Sequence, residues 1–222
     1  MNRIPLPVPR WTPVFDRIPD EKRRRVLESA KSAFAHNGFA GTNVNHVAAA
    51  AGISVGALYK YFRTKTDLFL AIVEEYEFLL GGALDSIFGS EPTFLGRVEN
   101  LLRAAIASAL EDPELIKIYV DCTTEELSGI AVQLSGRIET VSATMYRRMI
   151  AEAVASGEVA ADIDPASSAY LLDNIFLMIQ FSYASTYYRA RLDIFVGSDA
   201  DDPENILAAA LRFIRRSFDC RS

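Results

Sequence analysis

An all-α fold is predicted by three features of this 222-residue sequence. Apolar residues recur at three- and four-residue intervals through most of the chain, helix-capping residues bracket those stretches, and the period-two alternation of strands is missing. About nine helices are expected. They divide into a proline-rich arm over residues 1–19, a helix-turn-helix domain over 20–66, and a larger helical domain over 67–222.

Composition narrows the classes. Half of the residues are hydrophobic, enough for a sizeable core and too many for a disordered chain. No apolar run approaches the length needed to cross a bilayer, and the N-terminus lacks the apolar segment of a secretory signal. Cys122 and Cys220 lie far apart without metal-ligand spacing, so a reducing compartment is expected, and with it a cytoplasmic protein. The net charge of −6 is unevenly spread. Residues 1–70 hold 11 Lys/Arg against 5 Asp/Glu, whereas residues 71–222 hold 12 against 24, so +6 and −12 make up the whole. A basic end on an acidic body favours docking to a polyanion by that end only.

The arm contains five prolines within residues 1–19 and is not expected to be a regular helix. Its apolar residues, Ile4, Leu6, Val8, Trp11, Val14 and Phe15, leave two readings open. The arm packs on the body with Trp11 as anchor, or Arg3 and Arg10 reach along DNA. Pro19, Asp20 and Glu21 then open the first long helix, whose inner stripe is Val26, Leu27, Ala30, Ala33 and Phe34. Lys22, Arg23, Arg24 and Arg25 form a basic run near its start, and Asn37-Gly38 ends it.

Residues 42–68 carry the densest pattern. Thr42 and Asn43 offer side-chain oxygens to cap a short helix with Val44, Val47 and Ala48 on one apolar face. Gly52 suits a left-handed turn, Ile53 can plug the core, and Ser54 can cap a second helix over residues 55–61. Leu58 and Phe62 are its inward anchors; Val55, Gly56, Ala57, Tyr59, Lys60 and Tyr61 are left outside. Such a helix fits the major groove of DNA. Asn45, Val55, Gly56 and Ala57 would lie near base edges, with Thr42, Tyr59, Lys60 and Lys65 on the phosphate backbone. Lys65, where the next helix begins, could share one phosphate with that helix N-terminus. From the residues alone, the alternative is an ordinary loop flanked by core aromatics.

The string AGISVGALYKYFRTKTDL resembles the signature of the TetR family of bacterial transcription regulators, AGVSxGTLYxYFxxKxxL. Ala51, Gly52, Ser54, Gly56, Leu58, Tyr59, Phe62, Lys65 and Leu68 carry the match. Upstream, Ala33-Phe34, Gly38-Phe39 and Gly41-Thr42 match the family's first helix and its exit. The resemblance covers roughly residues 20–70; the remainder is similar in helical layout and length only. Ala57 departs from it, standing where many members have Thr. The resemblance implies a homodimer on a palindromic DNA operator and a helical effector domain. It also implies a repressor released by a small-molecule effector, with a tilt of the linking helix as the route from ligand to DNA.

Beyond the motif, a helix over residues 66–80 connects to the rest, with breaks expected at Gly81-Gly82 and at residues 89–92. Amphipathic helices follow over 93–110, 113–120 and about 124–156, the last ended by Gly157. Asp164-Pro165 opens a helix apolar on nearly all sides, interrupted by Asp173, Asn174 and Gln180, which exclude a membrane span. A helix apolar all round must be covered all round, so residues 165–191 and the last helix, 203–218, are expected at a homodimer interface as well as in the core.

Catalytic residues are not found. The two histidines, His36 and His46, have no ligand set, no phosphate loop appears, and the carboxylates of Glu74, Glu75, Glu77, Glu125 and Glu126 read as solvated helix faces. No metal and no cofactor is expected. Phe94, Tyr119, Met145, Phe176, Gln180 and Tyr183 are candidates to line a pocket for an apolar or aromatic effector, with core packing as the competing role for each. Other classes stay open: an all-α interaction module whose helix-turn-helix is structural, or a helical enzyme.

Overall fold

A computed structural model describes residues 10–122 and 127–219. Expectations for Arg3, Ile4, Leu6, Val8, Glu125, Glu126, Cys220 and the start of the helix near Thr124 lie outside the described residues, as does the side chain of Glu77. The described residues are helical and contain no strand. They divide into two compact units, residues 1–76 and 77–222.

The first unit holds α1 (Pro13–Asp16), α2 (Asp20–Gly41), α3 (Val44–Ala50), α4 (Val55–Tyr61) and the start of α5 (Lys65–Ser90). Helix α2 is broken where expected, at Gly38, whose φ of 67° and extended ψ interrupt the helical run. Its buried stripe is Val26, Ala30 and Phe34, with Phe34 edge-on to Phe69 of α5 at 5.1 Å. Helices α3 and α4 pack on each other around Val47, Ala48, Ala51 and Leu58, all buried.

The second unit holds the rest of α5, α6 (Phe94–Glu111), α7 (Pro113–Cys122), α8 (Ser128–Ser156), α9 (Pro165–Ala184), α10 (Thr186–Val196), a 3₁₀ turn at Gly197–Asp201, and α11 (Pro203–Ser217). Helix α9 is its centre, packed against α6, α7, α8 and α10. Leu172, Phe176 and Ile179 of α9 join Val98, Leu102, Met149, Ile150 and Ile214 in one core cluster. Caps are local: Thr93 and Asp164 accept from the N–H groups of Gly96 and Ser167, and Gly157 ends α8 at a φ of 78°.

Eleven α-helices stand among the described residues, where about nine are expected from the sequence. One extra is α1, a single turn inside the arm: Pro13 at its first position fixes φ and loses only an N–H that a helix start leaves unpaired anyway. The other arises at Ser185, which is extended (φ −117°, ψ 131°) and splits residues 165–191 into α9 and α10. The expected break at Gly81-Gly82 is absent. Two glycines cost about 2 kcal/mol of helix propensity, and α5 continues because Leu84 is buried and Leu80, Ile87 and Phe88 pack on the same core.

Candidate nucleic-acid interface

The helix-turn-helix is built from local chemistry. Asn43 caps α3 by accepting from the Asn45 N–H at 2.9 Å. The turn closes through Gly52 at a φ of 68°, with the Ile53 N–H reaching back to the Ala48 carbonyl at 3.0 Å. Ser54 Oγ then accepts from the Ala57 N–H at 3.1 Å and opens α4. Thr64 and Asp67 form a reciprocal capping box at the start of α5, the Asp67 N–H donating to Thr64 Oγ1 and the Thr64 N–H to Asp67 Oδ2.

The far end of α4 is held by the arm. The Thr12 N–H donates to the Tyr61 carbonyl at 2.8 Å, and its hydroxyl to the Lys60 carbonyl at 2.6 Å, so two carbonyls that a helix end leaves unpaired are satisfied. Phe15 is fully buried, 5.3 Å from the Tyr61 ring and 4.8 Å from that of Phe62. Arg10 pairs with Glu74 at 3.0 Å. Residues 10–19 thus pack on the body, with Phe15 rather than Trp11 as the deep anchor; Trp11 lies over it, edge to face. This contact also buries Tyr61, which the sequence leaves on the outside.

What remains accessible is a polar surface. Asn45, Gly56, Tyr59 and Lys60 are exposed, and Val55 and Ala57 are half-buried. Lys65 is half-buried: its ammonium donates to the Ala40 carbonyl at 3.0 Å and lies 4.9 Å from the Phe39 ring centre. Thr42 is buried, and its hydroxyl reaches the carbonyls of Ala33 (3.0 Å) and Gly38 (2.7 Å). The surface holds positive charge and no carboxylate, since residues 29–66 contain neither Asp nor Glu. Arg63, exposed just after α4 and not weighed in the sequence reading, adds to it; its spacing from Lys60 was the available signal.

The expected effector residues are dispersed through the core of the second unit. Phe94 faces Phe218 at 5.0 Å, Tyr119 faces Phe181 at 5.7 Å, and Phe176 meets Tyr146 edge-on at 5.6 Å. Gln180 is buried, and Met145 packs at the edge of the core cluster. The Tyr183 hydroxyl is buried without a partner among the described residues, and burial pushes it above the ordinary phenol range. Among the described residues no three His, Cys, Asp or Glu side chains gather to hold a metal ion, and no helix is long and apolar enough to cross a membrane.

Residues 26–72 match the model of the bacterial regulatory proteins, tetR family. The chain is 31% identical over 94 residues to the HTH-type transcriptional regulator YerO of Bacillus subtilis (strain 168), covering 42% of this chain and 32% of that protein. It is 31% identical over 96 residues to the HTH-type transcriptional repressor AcnR of Corynebacterium glutamicum, covering 43% and 44%. The alignments thus span a third to about half of these relatives' lengths. In fold, the chain is similar to the transcriptional regulator FadR from Bacillus subtilis in complex with stearoyl-CoA, at a TM-score of 0.68, 14% identity, and coverage of 85% of this chain and 97% of that one.

Proposed function

We propose, from the premise that the chain belongs to the TetR family through its helix-turn-helix domain, that it is a ligand-responsive transcriptional repressor binding a palindromic operator as a homodimer. The observation that carries this reading is the capped α3–turn–α4 unit, whose accessible surface has basic residues and no carboxylate. An α-helix fits the major groove, and a surface of this charge gains from the release of counterions. Asn45, Val55, Gly56 and Ala57 lie near base edges in this proposal. Tyr59, Lys60 and Lys65 contact phosphates, and Thr42 contributes through its backbone, its hydroxyl being used internally. Val55 and Ala57 offer only apolar contact, for instance to thymine methyls, so DNA shape supplies part of the specificity.

The dimer forms through residues 165–191 and 203–218, where Tyr170, Leu171, Tyr187 and Phe213 are exposed apolar side chains in the isolated chain. A small apolar or aromatic effector binds among Phe94, Tyr119, Met145, Phe176, Gln180 and Tyr183, the last offering an unused hydroxyl. The acyl chain carried by the ligand of FadR supports an apolar effector. Binding shifts the dimer towards a spacing that fails to span both half-sites, to the extent that the ligand prefers that state.

Footprinting of the purified protein on the DNA upstream of its own gene, at physiological salt with excess competitor, tests the reading. A two-fold-symmetric protected site is expected, lost on addition of effector. Absence of protection there and across genomic fragments would overturn the regulator and leave an all-α interaction module.

A further inference from the structure

Between α8 and α9 lies a cavity of about 340 Å³, a volume suited to a small ligand. Two carboxylates line it, Glu139 from α8 and Asp173 from α9. Glu139 is held in place by the Tyr119 hydroxyl of α7, which donates to it at 2.5 Å. Asp173 has no partner among the described residues. Ser142, 5% exposed, also lines the cavity and has no hydrogen-bond partner among the described residues. The remaining charged or titratable lining groups are Arg147, exposed on α8, and Tyr170 on α9; Leu177 contributes apolar surface.

Two carboxylates facing one cavity, beside a hydroxyl that no other described residue engages, are a costly arrangement when partly withdrawn from water. The cost shows in Asp173, whose carboxyl is pushed up to about 7 by burial first and by the Glu139 charge second. A cation between the two would remove the repulsion and replace the lost water. Two carboxylates and one hydroxyl fall short of the six to eight oxygens, at close range, that calcium takes. An ammonium group needs only two or three acceptors, and its carbon body can lie on Leu177.

We propose that this cavity binds a small organic ammonium ion, its charge between Asp173 and Glu139 and its third N–H on Ser142. The cavity lining includes none of the effector residues above, the two meeting only where Tyr119 holds Glu139, and the site stands or falls without DNA. The test is calorimetric titration of the full chain with phenethylammonium chloride and with neutral 2-phenylethanol. At pH 8 the ammonium is expected to bind one per chain, at least tenfold more tightly than the alcohol. Asp173→Asn is expected to weaken it at least tenfold, and Glu139→Gln supplies the same comparison independently of how the first variant folds. Because the cation requires ionised Asp173, affinity at pH 6 is expected to be about tenfold below that at pH 8, with proton release on binding. Equal affinity for the two probes, no binding of the ammonium at millimolar concentration, or unchanged affinity in both variants would overturn the proposal.

Discussion

Lys65 holds the end of α2 against the start of α5, its ammonium on the Ala40 carbonyl and beside the Phe39 ring. One of its three N–H groups is used there, which leaves two for a phosphate. Lys65→Ala is expected to weaken binding to all DNA sequences and to lower the slope of log affinity against log salt by roughly one. Unchanged slope with a lowered denaturation midpoint would confine Lys65 to the internal tie. Asp173 presents a separate, residue-scale consequence. Its folded carboxyl titrates at about 7, above the ordinary value, so the folded chain binds more protons than the unfolded one between those two pH values. Stability therefore declines as pH rises from about 4 to about 7 and levels off above. Asp173→Asn is expected to remove that decline, with a gain on the order of 2 kcal/mol at pH 8 and little at pH 4. Thermal unfolding of the two proteins across this range measures it.

Helix α4 has seven residues and is too short to persist alone in water. It is held at both ends: by the Ser54 hydroxyl at its start, and by Thr12 and Phe15 at its finish. Ser54→Ala removes one acceptor from the first turn and is expected to cost about 1 kcal/mol. Because the cap lies beside Val55, Gly56 and Ala57, fraying is expected to lower operator affinity about fivefold while leaving the salt slope unchanged, since no phosphate contact is lost. Fluorescence anisotropy at several salt concentrations separates these quantities. Elements also mark the places where local preference yields. Gly81 and Gly82 are poor helix residues, yet the buried Leu84 carries α5 past them. Ser185 stands in an apolar stretch that reads as continuous helix, yet its backbone is extended, and the side chains of α10 include none that is buried.

The second unit exposes large apolar groups along its last three helices. Leu171 is 62% exposed, Ile194 83%, Phe195 74% and Phe213 62%. Surfaces of this kind on an otherwise well-packed unit mark sites of association. Leu171→Glu combined with Phe213→Glu is expected to convert a dimer into a monomer by sedimentation, with the helical circular dichroism retained. The same variant is expected to lose the two-fold footprint, because a single half-site contact forfeits the binding energy of its partner. Dimerisation that survived the pair would move the interface elsewhere.

The sequence by itself determined what depends on neighbours along the chain. The caps at Asn43, Ser54, Thr93 and Asp164, the left-handed turns at Gly52 and Gly157, and the apolar stripes of α2, α6 and α11 all follow from residues within one or two turns of each other. The helix-turn-helix was legible for that reason. Tertiary structure alone decided what depends on distant partners. Thr12 closes the end of a helix 48 residues away, so neither the burial of Tyr61 nor the role of the arm has a local signature. Glu139 and Asp173 are 34 positions apart; Asp173 reads by itself as an interruption in an apolar helix, and nothing along the chain singles out Glu139. Only the packing of α8 on α9 brings them to one cavity, because the free energy of a charge is set by what surrounds it in space.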